Sequence, residues 1–262
     1  MDTFTSFNAL TRALPTTLAR TAKQPAVARE TAYYQAKIGD VRTIEDLVKD
    51  DRLLTYAMKA WGLEDMTYAK GLVKKVLQGG VDDPASLANR LSSGRFREFA
   101  SVFNFKSYGK ATTAFDKVQK GTVDNYIRQQ LEKDSGDSSP ALQLALYFQR
   151  KAPTIKSALN ILADKNLLTV VQTALNIPSA TSASALDAQI SLINQKMNVA
   201  DLQNPAKLQK FLQRFAAMAD ATSSSASSNA SAIILGGGGF SGLNGDILMS
   251  IQKLHLGAGP CR

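Results

Sequence analysis

The phrase LLTYAMKAWGL, Leu53 to Leu63, returns later in the chain as LLTVVQTALNI, Leu167 to Ile177. Set 114 residues apart, the two copies align without a gap back to Tyr33 and Tyr147. YYQAK faces YFQRK, Asp50 faces Asp164, and Leu53, Leu54, Thr55 and Ala60 face Leu167, Leu168, Thr169 and Ala174. Eight of these thirty-one positions are identical, where average residue usage gives about two by chance. Conservative pairs such as Val41 with Ile155 and Arg42 with Lys156 fill many of the others. Further on, DDPASL faces QNPAKL at an offset of 121, which places a small insertion in the second copy. We read two divergent copies of one helical unit. Two copies are too few for an open solenoid, so they are expected to pack on each other as one body.

Within the phrase, Leu53, Leu54, Ala57 and Ala60 or Trp61 form an apolar stripe, repeated as Leu167, Leu168, Val171 and Ala174 or Leu175. That spacing is the buried face of a helix. Gly62 and Asn176 stand at the matching end of each stripe, and both residue types tolerate the left-handed cap conformation. The phrase thus reads as a packing element with its stop signal.

Upstream, PAVARETAYYQAKIG predicts a helix from Pro25 stopped by Gly39, and Thr43 with Asp46 has N-cap spacing for a short helix through Lys49. Downstream, YAKGLVKKVLQGG places Leu72, Val73, Val76 and Leu77 on one face before a Gly-Gly stop. Asp83 and Pro84 read as cap and first-turn residue of a further helix, as do Asn204 and Pro205 in the second unit. Ser139-Pro140 opens that unit. No segment alternates at period two, so the fold class expected is all-α with little or no sheet.

These signals divide the chain into a flexible leader (1–24), helical unit 1 (25–110), a connecting helix (111–138), helical unit 2 (139–220), a Ser/Gly-rich linker (221–246) and an amphipathic C-terminal segment (247–262). The linker reading rests on DATSSSASSNASA, which has little apolar surface to bury. Beyond it, Ile247, Leu248, Ile251 and Leu254 share one face of a short helix. A helix of that length is marginal alone and needs a surface to dock on. In the leader, Phe4, Phe7, Leu10, Leu14 and Leu18 form a similar stripe, interrupted by Pro15. Both stripes are candidate partner-binding surfaces.

At 262 residues with 44% hydrophobic and 20% charged content, the chain can bury a sizeable core. No run approaches the roughly 20 apolar residues of a membrane helix, and the N-terminus lacks the basic start and apolar block of a cleaved signal. Cys261 is the single cysteine and His255 the single histidine. The usual Cys/His zinc sites and His-dependent catalytic devices are therefore not expected. His255 suits the end of a helix, where a cation meets the dipole.

The formal net charge of +9 permits attraction to nucleic acid or anionic lipid without requiring it. The densest basic and aromatic stretch, NRLSSGRFREFASVFNFKSYGK, mixes Arg90, Arg95, Arg97, Lys106 and Lys110 with Phe96, Phe99, Phe103, Phe105 and Tyr108. Phe96, Phe99 and Phe103 recur at core spacing, which favours packing over base stacking. Gly236 to Gly239 is followed by no Gly-Lys-Ser/Thr, and GFSGL around Ser241 lacks the last glycine of a nucleophile elbow. The acidic pairs Asp50-Asp51 and Asp82-Asp83 sit at predicted helix starts, where carboxylates cap amides. No catalytic, cofactor-binding or metal-binding residue is assigned.

The chain resembles an alphaproteobacterial family of unknown function whose genes commonly lie among flagellar genes. The resemblance runs through LARTAKQPAVARETAYYQAKIGDVRTIEDLVKDDRLLTYAMKAWGLEDMTYAKGLVKKVL, DDPASLANRLSSGRFREFA, LALYFQRKAPTI, LLTVVQTALNIP and LQNPAKLQKFLQRFAAM, within residues 15 to 220. It brings no catalytic residues. It implies a flagellar association, with flagellar proteins or a second copy of the chain as partners. Two roles follow as expectations. One is an exported structural or assembly component of the flagellum, its signal uncleaved and its two ends pairing. The other is a cytoplasmic export chaperone or adaptor; a nucleic-acid-binding regulator is a weaker third.

Overall fold

The structure is a computed structural model; it describes residues 2–91 and 94–235, with residues 224–235 described by backbone alone. Among the described residues the regular structure is helical throughout, with no strand, as the absence of period-two patterning predicts. One compact unit ends at Asp220.

The leader, expected to be flexible, is helical and packed on the core. It forms α1 (Thr3–Arg12) and α2 (Leu14–Ala22). Pro15 falls in the first turn of α2, where its missing N–H takes no bond from the helix, so it starts a helix instead of breaking one. Phe7 is fully buried, and Leu10, Leu14 and Leu18 pack partly buried on the same core. Only Phe4 of that stripe stays exposed, at 40%. The start of α1 is held from far along the chain: the amides of Thr3 and Phe4 donate to the Asp220 carboxylate, both at 2.9 Å. Gln213 likewise donates to the Asn8 side-chain oxygen at 2.6 Å.

The first half follows with α3 (Pro25–Ile38), α4 (Ile44–Lys49), α5 (Asp51–Ala60), α6 (Lys70–Gly79), α7 (Leu87–Arg90), α8 (Gly94–Val102) and α9 (Phe105–Tyr108). Thr43 and Asp46 form the expected capping box of α4. In α5 the stripe Leu53, Leu54 and Ala57 is buried and Trp61 packs against it. Phe96, Phe99 and Phe103 are core residues, as their spacing predicts. α7 begins three residues later than Pro84, because the Asp83 carboxylate accepts from the Ala85 amide within a turn and Ser86 takes the cap position.

The expected connecting helix starts late. A 3-10 segment (Gly109–Ala114) and a π-helical turn (Lys117–Gly121) precede α10 (Thr122–Ser138). The second half comprises α11 (Pro140–Lys151), α12 (Ala158–Leu162), α13 (Lys165–Leu175), α14 (Leu186–Lys196) and α15 (Pro205–Leu235). Leu167, Val171 and Leu175 are buried in α13, while Leu168 is only half-buried. Gly62 and Asn176, the two expected stops, both have positive φ, +72° and +50°. α15 runs helical through Leu235, so the first part of the segment expected as a Ser/Gly-rich linker (221–246) is described as helix, its alanines favouring that conformation; residues 236–246 lie outside the described residues. Ile247, Leu248, Ile251, Leu254, His255, Cys261 and the glycine cluster lie outside the described residues.

Residues 1–220 hold two hydrophobic cores. Tyr34, Leu47, Leu53, Phe99 and Phe103 centre the first; Phe7, Phe148, Val170, Leu212 and Phe215 centre the second. α10 serves both, giving Val123 and Tyr126 to one and Leu131 to the other.

Candidate functional site

Tyr33 and Asp50, identical to Tyr147 and Asp164 across the two copies, make the same contact in each. The Tyr33 hydroxyl donates to Asp50 Oδ2 at 2.7 Å while Asp50 Oδ1 accepts from the Leu53 amide. The Tyr147 hydroxyl donates to Asp164 Oδ2 at 2.5 Å while Asp164 Oδ1 accepts from the amides of Asn166 and Leu167. One carboxylate thus caps the later helix, α5 or α13, and ties it to the helix two before it, α3 or α11. The preceding caps match as well: Asp46 accepts from the Arg42 and Thr43 amides, and Asn160 from those of Lys156 and Ser157. Asp83 and Asn204, facing each other at the larger offset, each accept from the amide two residues on.

An arginine then lies over each tyrosine ring, Arg52 at 4.0 Å from the Tyr33 centroid and Arg150 at 5.1 Å from that of Tyr147. Glu30 holds Arg52 at 2.7 Å, and Glu132 holds Arg150 through two bonds of 2.6 and 2.9 Å. These charged pairs do not sit at equivalent positions. Arg52 comes from α5 and Glu30 from α3, whereas Arg150 comes from α11 and Glu132 from α10. Both stretches therefore carry one arrangement, carboxylate, phenol, guanidinium and carboxylate, drawn from different parts of the sequence.

The electrostatics of these groups are those of paired structural charges. Burial raises the Asp50 carboxyl, but the Leu53 amide and Tyr33 hydroxyl outweigh it and hold it below the usual 3.8. The hydrogen bond from Arg52 holds Glu30 below its usual 4.5. Burial and the Asp164 carboxylate both push the Tyr147 phenol up. For Arg150, burial works against the charge and Glu132 more than restores it. The remaining acidic candidates are also engaged: Asp51 pairs with Lys70, and Asp82 accepts from the Ser107 hydroxyl. Among the described residues no group of three His, Cys, Asp or Glu side chains could hold a metal.

Between the halves lies a groove of about 1030 Å³. Residues of α8 (Arg95, Arg97, Glu98) line it on the first-half side, Gln129 and Glu132 of α10 line its middle, and Gln143, Tyr147 and Lys151 of α11 with Lys165 and Asn166 of α13 line the second-half side. Lys151 reaches across to Glu98 through two contacts of 2.6 Å. A smaller hollow of about 360 Å³ opens beside Glu30, Arg52 and Tyr126, where Tyr34, Tyr56 and Tyr126 stack in a row.

Of the stripes proposed from sequence as partner surfaces, the leader's is used inside the protein and the tail's lies outside the described residues. The repeat-packing set, Leu53, Leu54, Ala57, Trp61, Leu167, Leu168, Val171 and Leu175, lies in or against the two cores, apart from the more exposed Leu168. The groove was missed. Its residues come from α8, α10, α11, α12 and α13 and the turns beside them, and the only local signal was the basic stretch around Arg95 and Arg97.

The fold and groove define a two-core, all-helical body whose strong polar contacts are caps and ion pairs. The chain belongs to the family described as "Protein of unknown function (DUF1217)", matched over residues 60–208. It is also similar to a protein of Agrobacterium tumefaciens, an alphaproteobacterium, whose X-ray crystal structure was solved by a structural genomics consortium. The two are 46% identical, with 82% of this chain and 92% of that chain covered and a TM-score of 0.77. No curated protein matches the chain.

Proposed function

We propose that the chain is a flagellum-associated assembly protein that acts through protein–protein contacts and not through catalysis. The observation that carries the non-catalytic part is how its carboxylates are used. Asp50, Asp82, Asp83, Asp164, Glu98 and Glu132, the acids best placed at helix starts or in the groove, each satisfy a cap, a hydroxyl or a cation. A general acid or base needs a proton to exchange with a substrate, and these groups are occupied with holding helices. The flagellar part rests on the resemblance quoted above.

One observation bears on which assembly role this is. An axial subunit was expected to offer a free apolar leader for pairing with its tail, yet Phe7 is fully buried and its helix is held to Asp220. The docked leader favours a folded adaptor or chaperone over a tube-forming subunit. The test is to tag the chromosomal copy, delete it in a parallel strain, and compare sheared filaments, basal bodies and cytosol. Motility is expected to fall on deletion, with the tagged chain in the basal-body or cytosolic fraction. Normal motility together with absence from every flagellar fraction overturns the reading; abundance in the filament fraction supports the axial subunit instead.

A further inference from the structure

Three features of the groove narrow what it can hold. Its acids are already matched: Glu132 by Arg150, Glu98 by Lys151, and Asp164 by the start of α13 and the Tyr147 hydroxyl. Among its cations, Arg95 is taken up by Asp65 and the Gly62 carbonyl. The side-chain charges of Arg97 and Lys165 are exposed and make no hydrogen bond or ion pair among the described residues, one on each side of the groove. The side-chain amides of Gln129, Gln143 and Asn166 also line it without a hydrogen-bond partner among those residues.

We propose that this groove binds an extended acidic segment of a partner protein, with Arg97 and Lys165 holding its carboxylates. The inference rests on the reading that the chain works through protein contacts. Side-chain amides offer both donors and acceptors, which matches the N–H and C=O groups along an extended peptide. The phosphates of a nucleic-acid backbone present acceptors without donors, and Glu98, Glu132 and Asp164 among the lining residues interrupt the unbroken positive track they need. An arginine meets a carboxylate in fork geometry, and recognition of acidic motifs by cation clusters is a recurrent mode. At about 1030 Å³ the groove is at or above the upper end of ordinary small-ligand pockets, roughly 300–1,000 Å³. Its span from α8 to α13 suits a chain segment.

The test uses the full-length protein and a fluorescein-labelled peptide of alternating Asp and Ser, read by anisotropy. The parent protein is expected to bind it and to ignore the Asn-for-Asp peptide. Arg97→Glu with Lys165→Glu is expected to weaken binding about a hundredfold, a tenfold loss for each contact, and to create binding of the Lys-for-Asp peptide. Lys49→Glu with Lys196→Glu, exposed cations on α4 and α14 outside the groove, makes the same change in net charge and is expected to leave affinity as it was. Circular dichroism on each variant confirms folding. No binding by the parent, or equal loss in both double variants, overturns the proposal, as does a single-stranded oligonucleotide that outcompetes the peptide and depends on Arg97 and Lys165. The measurement needs no flagellum, so its failure leaves the flagellar reading standing, and absence of the chain from flagellar fractions leaves the groove proposal standing.

Discussion

A single hydroxyl at Tyr147 links α11 to the start of α13, and Tyr33 does the same for α3 and α5. A hydrogen bond to a charged acceptor is worth about 1.5–3 kcal/mol. Tyr147→Phe is therefore expected to lower stability by about that much in urea unfolding, while the aspartate goes on capping its helix. Because the two tyrosines lie against different cores, Tyr33→Phe and Tyr147→Phe should add within about 0.5 kcal/mol. A marked deviation from additivity shows the two contacts to be coupled. The identities Tyr33 with Tyr147 and Asp50 with Asp164 were legible in the alignment; the bond between them was not, since matched positions carry no information about which side chains meet. Glu132 with Arg150 could not be found this way, because its first-half counterpart sits at different positions.

At the scale of elements, starts and stops were the most legible features, and for a local reason. A cap satisfies amides within the next few residues, so Thr43 with Asp46, Ser139 before Pro140, and Gly62 or Asn176 after a stripe can be read from short stretches. The leader defeated the same approach. Its apolar stripe was visible, but what covers it belongs to α11 and α15, more than a hundred residues away. Phe7→Ala tests the corrected reading. Emptying a fully buried phenylalanine site costs about 3–5 kcal/mol, so the variant should melt well below the parent. Phe4→Ala, at a 40% exposed position on the same helix, should change little. Equal and small effects at both positions mean that α1 is not docked in solution.

Across the whole molecule, the carboxylates set the acid limit. Asp50, Glu30, Glu64, Asp46 and Glu45 all ionise at lower pH in the folded chain than their ordinary 3.8 or 4.5. A depressed folded pKa gives stability that is complete above the ordinary value and drains as pH falls through it towards the folded one. The melting temperature should thus be nearly level from pH 7 to about 5 and fall steeply below about 4.5. A midpoint that already drops near pH 6 assigns acid sensitivity to other groups. Surface pairs such as Lys120 with Asp124 add little to this.

The long reach from α1 to α15 has a consequence in time. A ribosome makes roughly 5–20 residues per second, and 208 positions separate Phe7 from Phe215, its fellow in the second core. The leader is therefore made well before α11, and waits on the order of ten seconds or more for α15 to complete its covering surface. Until α10 and α11 follow, Phe7, Leu10, Leu14 and Leu18 have no cover on the nascent chain. A targeting factor or holding chaperone can read them then, and loses its epitope once Asp220 is synthesised and closes over the first amides.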